Sequence, residues 1–257
     1  MYKIALLGRD IGYTKSPEVH AAIADCVKSQ IRFDVVDVPY DRLGATVNRL
    51  LAEYDGFFVT KPYKSEIKRF IDSDLPSVNV VRSKDKAAFN TDGKGFIRAL
   101  DRNFEEWKTN VKSALVLGTG GAAHSVVSAL TEMNVKTYVL GRTVMNAVRL
   151  AAMYDGAELY YNQAAQLIVN CTPLGRNGED VLRALCVPPM FEYAFDLTYS
   201  DGLTPFLRRV QSCGGKIADG TDILIYQAIE GDKILLNENF DEREAYKKAL
   251  AVLRRQD

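Results

Sequence analysis

The run from Ser113 to Met133 constrains this chain more than any other. An apolar stretch, Ser113 to Leu117, leads into Gly118-Thr119-Gly120-Gly121-Ala122-Ala123 and then into helical periodicity from His124 to Met133. A strand, a tight glycine turn and a helix in that order begin a βαβ unit, which is buried in a layered α/β domain with a mainly parallel sheet. Gly118, Gly120 and Ala123 stand on the G-x-G-x-x-[GA] spacing. Glycine serves there because the turn is tight, a pyrophosphate must come close to the backbone, and the helix N-terminus offers N–H donors to an anion. A purely structural turn has the same spacing, so the motif alone leaves both readings open.

The rest of the chain extends the alternation of strand and helix. Strands are expected at Lys3 to Leu7, Phe33 to Val38, Gly56 to Thr60, Lys136 to Leu140, Glu158 to Tyr161, Leu167 to Asn170, Tyr193 to Leu197 and Lys216 to Ile217. Helices are expected at Leu43 to Leu51, from the Gly141 turn to about Tyr154, at Thr204 to Ser212, and over most of Ile223 to Arg255. Ser16 reads as the N-cap, and Pro17 as a first-turn residue, of a helix through Ile23 and Val27. Only about five residues separate Tyr161 from Leu167, too few for the helix of a regular parallel crossover. The pattern restarts near residue 93. The expected fold is α/β: an N-terminal α/β substrate domain of residues 1–92 and 222–257, a Rossmann-type dinucleotide-binding domain of residues 93–221, and C-terminal helices returning to the first domain.

A chain of 257 residues buries enough surface for two such domains. Its 33 basic and 33 acidic residues cancel, so no charge footprint for nucleic acid or an anionic membrane is present, and a small-molecule partner is expected. Cys26, Cys171, Cys186 and Cys213 are scattered, without CxxC spacing or a nearby histidine that would complete a zinc site, which points to free thiols and no metal site. No apolar run reaches membrane-spanning length, and a cytoplasmic location is expected.

Three further segments carry candidate chemistry. The strand that ends at Leu140 continues as Gly141-Arg142-Thr143, where an NAD site normally has a carboxylate for the ribose hydroxyls. Arg142 instead offers a planar cation for a 2′-phosphate, which favours NADP; a solvated surface arginine is the plain alternative. Thr14 and Ser16 place two hydroxyls at a helix entrance, suited either to a carboxylate or to ordinary capping. Lys64 follows a strand and the turn-fixing Pro62, and a lysine beside Asp92 can move a proton at a carbinol, although most lysines do no such thing.

Laid end to end, these segments resemble the shikimate dehydrogenase family over nearly the whole chain. The carrying segments are Thr14-Lys15-Ser16-Pro17-Glu18-Val19-His20, Val59-Thr60-Lys61-Pro62-Tyr63-Lys64, Asn79, Asn90-Thr91-Asp92, the glycine loop, Gly141-Arg142-Thr143, Asn170-Cys171-Thr172-Pro173, Asp196-Leu197-Thr198-Tyr199 and Gly220 to Gln227. The resemblance implies NADP-dependent interconversion of 3-dehydroshikimate and shikimate, a step toward aromatic amino acids. It implies Lys64 and Asp92 as catalytic residues, and Thr14, Ser16, Thr60, Asn79, Tyr199 and Gln227 around a ring carboxylic acid. It further implies Gly118, Gly120, Gly121, Ala122, Arg142, Thr143, Thr172, Leu197 and Gly220 around the cofactor, in a monomer or homodimer. A quinate or aminoshikimate dehydrogenase-type paralogue and a non-catalytic NADP-binding sensor of the same fold are the competing readings.

The chain departs from the family pattern at several places. Phe58 stands where the family has an asparagine beside the substrate, Thr14 replaces a serine, Tyr13 a histidine, and Ile223 a methionine near the cofactor. Phe58 is expected to face the core, because Phe57-Phe58-Val59 reads as a strand buried on both faces. Asn146 sits where NADP-preferring relatives often carry a second basic residue, leaving the phosphate to Arg142 with help from Arg149. His20 is expected to pack or cap, and His124 to lie near the phosphate loop without a chemical role.

Overall fold

The computed structural model describes Met1 to Arg254 apart from Tyr13, Lys28, Ser200 and Asp201. The chain forms two compact units, one of Met1–Gly95 with Leu224–Asp257 and one of Phe96–Ile223. In chain order the elements are β1 (Tyr2–Gly8), α1 (Ser16–Ala24), β2 (Ile31–Asp37), α2 (Leu43–Glu53), β3 (Gly56–Val59), β4 (Val80–Arg82), β5 (Ala87–Phe89) and α3 (Asp92–Asn103). Then come α4 (Trp107–Asn110), β6 (Ser113–Leu117), α5 (Gly121–Glu132), β7 (Lys136–Leu140), α6 (Val144–Ala151), β8 (Ala157–Leu159), β9 (Leu167–Asn170) and α7 (Val181–Ala184). The chain continues with β10 (Tyr193–Asp196), α8 (Pro205–Ser212), β11 (Lys216–Ala218), α9 (Thr221–Leu236) and α10 (Glu242–Leu253). The expected helix limit at Arg255 lies outside the described residues.

The first unit is built on a sheet of order β2-β1-β3-β4-β5. Strands β1, β2 and β3 are parallel, whereas β4 runs antiparallel to both β3 and β5. The apolar run of β3 is continuous because both of its faces are covered. Phe57 and Val59 join Leu43, Val47 and Leu50 of α2, while Phe58 joins Ile4, Leu6, Val80, Leu235 and Leu236 on the other face. Helix α1 packs Val19, Ala22 and Ile23 against Ile225, Ala228 and Ile229 of α9 and Ala245 and Ala249 of α10. Burial of each large apolar side chain contributes about 1.5–3 kcal/mol.

Two features correct the sequence reading. The β4–β5 hairpin and α3 have no counterpart among the expected elements, because three-residue strands are too short to show a period and α3 opens with two glycines, Gly93 and Gly95. Ser16 is the first residue of α1, not its cap: Lys15 holds the N-cap position without a side-chain hydrogen bond. The cap-like contact comes from two residues back, where the Ser16 N–H donates to Thr14 Oγ1 at 3.3 Å.

The hairpin decides where the polar residues lie. Thr60 follows β3, Asn79 precedes β4 and Asn90 follows β5, so two reversals of direction return all three to the same end of the strands. The ladder continues there, with the Val59 N–H donating to the Asn79 carbonyl at 2.8 Å and the Asn79 N–H to the Phe89 carbonyl at 3.0 Å.

The second unit has six strands in the order β11-β10-β9-β6-β7-β8, all parallel. This is the doubly wound arrangement with its topological switch between β6 and β9. From the edge strand β8 the chain crosses to β9 on the far side of β6, without a helix on the way. Helix α5 starts at Gly121, three residues before the His124 expected from periodicity, because the loop glycines hide its first turn.

Candidate active site and nucleotide loop

In the first unit the polar groups at the C-terminal end of β3 form one hydrogen-bonded cluster. Lys64 Nζ donates to Asp92 Oδ2 at 2.5 Å, with the two side chains 20% and 9% exposed. Lys64 is held from behind, since its carbonyl accepts the Val78 N–H at 2.8 Å. Tyr63 beside it is fully buried and donates its hydroxyl to the Val38 carbonyl at 2.7 Å. The loop that carries the amine is therefore pinned at both surfaces.

Asp92 is oriented by two asparagines. Its N–H donates to Asn90 Oδ1 at 3.0 Å, and Asn90 Nδ2 donates to the Ser77 carbonyl at 2.8 Å. Asn79 Nδ2 lies 2.8 Å from Thr91 Oγ1, 3.0 Å from Asp92 Oδ1 and 3.3 Å from Gln227 Oε1. An amide has two hydrogens for these three acceptors, so one hydrogen is shared. Thr91 closes the ring onto α9: its hydroxyl donates to the Gln227 carbonyl at 2.9 Å, and its N–H to Asn79 Oδ1 at 2.8 Å. Gly95 allows this approach, because a Cβ there would stand 2.8 Å from the Gln227 nitrogen.

The other candidates in this unit lie on neighbouring loops. Thr14 Oγ1 donates to Ser16 Oγ at 3.1 Å. The loop before them is shaped by Asp37, whose carboxylate accepts the N–H groups of Asp10 and Ile11 at 3.0 and 2.9 Å. Thr60 continues the β3 ladder, donating its N–H to the Leu7 carbonyl at 2.9 Å. Such a cluster has a carboxylate-bound amine, amides and hydroxyls on separate elements, the parts a hydroxylated ring acid requires for orientation and proton movement.

In the second unit the glycine loop opens α5. Gly118 has φ +113°, a conformation side-chain-bearing residues rarely adopt, and a Cβ on it would stand 3.2 Å from the Cys171 backbone carbon. Gly120 differs: its φ is −88° and a Cβ would meet nothing within 4 Å. The chain's own packing does not require glycine there, whereas close approach by a pyrophosphate does. Helix α5 has no side-chain cap, which leaves the first-turn N–H groups of Gly121, Ala122 and Ala123 as donors for an anion. The loop thus fits a dinucleotide.

Around it, Thr172 donates its hydroxyl to Asn170 Oδ1 at 2.7 Å and accepts the Leu174 N–H at 3.2 Å. Asn170 Nδ2 donates to Asp196 Oδ1 at 3.0 Å, and Thr204 Oγ1 donates to Asp196 Oδ2 at 2.7 Å. Burial pushes the Asp196 carboxyl above its ordinary value, against the opposing pull of these hydrogen bonds. Gly220 is demanded by packing, since a Cβ would stand 2.2 Å from the Leu197 carbonyl oxygen. Arg142 and Thr143 are exposed at the end of β7, and Arg142 forms no hydrogen bond or ion pair among the described residues. Tyr199 belongs to this second unit, with the Arg176 guanidinium 5.9 Å from its ring centre.

Residues 6–81 match the description "Shikimate dehydrogenase substrate binding domain". A shikimate dehydrogenase (NADP(+)) of Ignicoccus hospitalis is 30% identical over 262 residues, covering 97% of this chain and 98% of that protein. The chain belongs to the shikimate dehydrogenase family. A second shikimate dehydrogenase (NADP(+)), from Thioalkalivibrio sulfidiphilus, is 30% identical over 257 residues, 90% of this chain and 91% of its own. Among solved structures, shikimate 5-dehydrogenase of Thermus thermophilus in complex with NADP(H) and shikimate superposes with a TM-score of 0.86 at 27% identity, covering 98% of this chain and 100% of that one.

Phe58 is 2% exposed, and its ring lies 4.2 Å from that of His20 and 6.2 Å from that of Phe33, so it faces the core as its strand suggests. His20 is buried, with Nδ1 2.8 and 3.0 Å from the two carboxylate oxygens of Asp232. Asp232 carried no sequence signal, because a single acid inside a helix reads as a surface residue until its partners are known. His124 Nδ1 lies 3.2 Å from Tyr154 Oη, and burial pushes the Tyr154 phenol up to about 12. Ile223 is buried, Asn146 and Arg149 are exposed, and Tyr13 lies outside the described residues.

No described helix is long and apolar enough to cross a membrane, and among the described residues no cluster of His, Cys, Asp and Glu is placed to hold a metal ion.

Proposed function

We propose that this protein interconverts 3-dehydroshikimate and shikimate with NADP, Lys64 and Asp92 moving the proton at the reacting oxygen. The 2.5 Å contact of Lys64 Nζ with Asp92 Oδ2, inside a cluster fixed by Asn79, Asn90 and Thr91, is the observation that carries the reading. In the direction of reduction the Lys64 ammonium donates a proton to the ketone oxygen, and in oxidation the neutral amine takes it back from the hydroxyl. Asp92 keeps the amine aimed. Thr14 and Ser16 hold the ring carboxylate by their hydroxyls, and Thr60, Asn79, Tyr199 and Gln227 bind the ring substituents.

Gly118, Gly120, Gly121 and Ala122 would hold the pyrophosphate of NADP, Arg142 and Thr143 its 2′-phosphate, and Thr172, Leu197 and Gly220 the rest of the cofactor. When bound, NADP supplies or accepts the hydride. The scattered cysteines support a reducing, cytoplasmic setting, and the protein acts as a monomer or homodimer. The buried position of Phe58 gives no support to a quinate or aminoshikimate specificity, because the ring faces the interior rather than replacing an amide in the site. The purified protein, assayed by NADPH absorbance against shikimate, quinate and other ring acids with NADP and NAD, should turn over shikimate with NADP best. Robust turnover of another ring acid with negligible shikimate activity would overturn the substrate assignment.

A further inference from the structure

Three elements that carry proposed substrate residues meet again one layer deeper. On α1, His20 lies four residues after Ser16, one turn along the same face and about 6 Å down the axis. On β3, Phe58 precedes Thr60 by two residues and shares its face by strand alternation. A Cβ on Gly8, the neighbour across β1, would touch Thr60 Cγ2 at 2.6 Å, which agrees with that facing. On α9, Gly231 and Asp232 follow Gln227 by four and five residues, again about one turn below.

These deeper residues touch one another. His20 Nδ1 bridges both oxygens of Asp232, the imidazole and Phe58 rings lie 4.2 Å apart, and Phe33 stacks on the outer side of the imidazole at 4.6 Å. A Cβ on Gly231 would stand 2.3 Å from Phe58 Cε1 and 2.9 Å from Cζ, so only glycine lets the ring and α9 close up. His20 and Asp232 are 3% and 2% exposed, and Asp232 has His20 as its side-chain partner.

We infer that His20, Phe58, Gly231 and Asp232 form a three-way junction that sets the spacing of Ser16, Thr60 and Gln227, and that they act as positioning residues for substrate. The inference rests on the substrate reading above. Apolar faces such as Val19 and Ile23 against Ile225 and Ile229 resist separation, but small sliding costs them little. A hydrogen bond to a buried carboxylate and a ring seated on a bare glycine backbone fail within about 1 Å, so they fix the register of α1, β3 and α9 where apolar contact alone does not.

The test is steady-state kinetics on Gly231→Ala, with hydrogen exchange on the ligand-free Asp232 variants. Gly231→Ala brings a Cβ against the Phe58 ring, and in a purely local role it would lower stability while leaving both KM values unchanged. If the junction positions substrate, it raises the KM for shikimate about tenfold while the KM for NADP stays unchanged, and adding Phe58→Leu, which removes the clashing ring atoms, recovers most of the loss. Asp232→Leu should speed exchange at the amides of Val19 to Ile23, and Asp232→Asn, which keeps an acceptor, should not. An unchanged shikimate KM, equal rises for both ligands, absence of rescue by Phe58→Leu, or unaltered exchange in Asp232→Leu would each overturn the junction. The exchange arm needs no substrate and no Gly231 variant, so unaltered exchange in Asp232→Leu overturns the junction even if Gly231→Ala misfolds. Failure of the unmodified protein to use shikimate tells instead against the functional reading.

Discussion

In the first unit the reactive groups satisfy one another through side chains, as Lys64 does with Asp92 and Asn79 with Thr91. In the second unit the binding groups are backbone donors exposed by glycine, and Arg142, the candidate for the 2′-phosphate, is exposed. The contrast reflects what each proposed ligand demands. A ring acid is recognised by a pattern of hydroxyls and amides whose geometry must exist beforehand, while a pyrophosphate needs close approach and positive dipole ends. The first unit is therefore sensitive to which side chain is present, and the second to where there is none.

Lys64→Ala probes the side-chain half of that comparison and has the largest expected effect, a fall in turnover of about 10²- to 10⁴-fold with little change in shikimate binding. A higher KM with unchanged turnover would reduce Lys64 to a binding residue. Next comes Arg142→Ala: losing a charge-assisted contact to the 2′-phosphate should weaken NADPH about ten- to a hundredfold and spare NADH. Equal losses for both cofactors in titrations would remove Arg142 from the phosphate site.

A smaller effect divides the glycines. Gly118→Ala should lower stability by about 1–2 kcal/mol because of its positive φ. Gly120→Ala should leave the melting temperature alone and weaken NADP several-fold. If both changes act on stability alone, Gly120 is a structural turn residue and the loop's fit to a nucleotide loses its main support.

The smallest effect concerns Asp196. Its carboxyl is raised in the fold, so the folded protein keeps a proton that the unfolded chain releases. Stability from this group is full below the unfolded value and is lost as pH rises through the folded one. Denaturant midpoints of Asp196→Asn should gain on the unmodified protein across that window, and a constant difference at all pH values would show that the carboxyl does not titrate differently on folding.

What the sequence displayed depended on how far each signal reaches. The parallel strands and glycine loop were legible because Ser113–Leu117 and Gly118–Ala123 carry local patterns tied to backbone geometry. The hairpin β4–β5 was not, since Val80–Arg82 and Ala87–Phe89 are strands only by virtue of their partners. Thr14, rather than Ser16, satisfies the first N–H of α1, a detail set by one loop conformation. Lys64 and Asp92 were paired through family resemblance, as nothing local in Tyr63-Lys64-Ser65 marks a buried partner 28 residues on. Asp232 showed nothing, because its meaning comes entirely from a histidine 212 residues earlier.

The first unit is discontinuous, and that has a consequence for how the chain is made. Residues 96–223 hold a complete sheet and can fold once they have left the ribosome, in the order of synthesis. The first 95 residues emerge earlier and cannot finish. Phe58 and Val80 wait for Leu235 and Leu236, and Val19 and Ile23 wait for Ile225 and Ile229, so their apolar faces stay uncovered for the length of more than a hundred intervening codons. During translation the older segment is thus the one open to chaperones and to aggregation, and the last helices to appear are the ones that end that exposure.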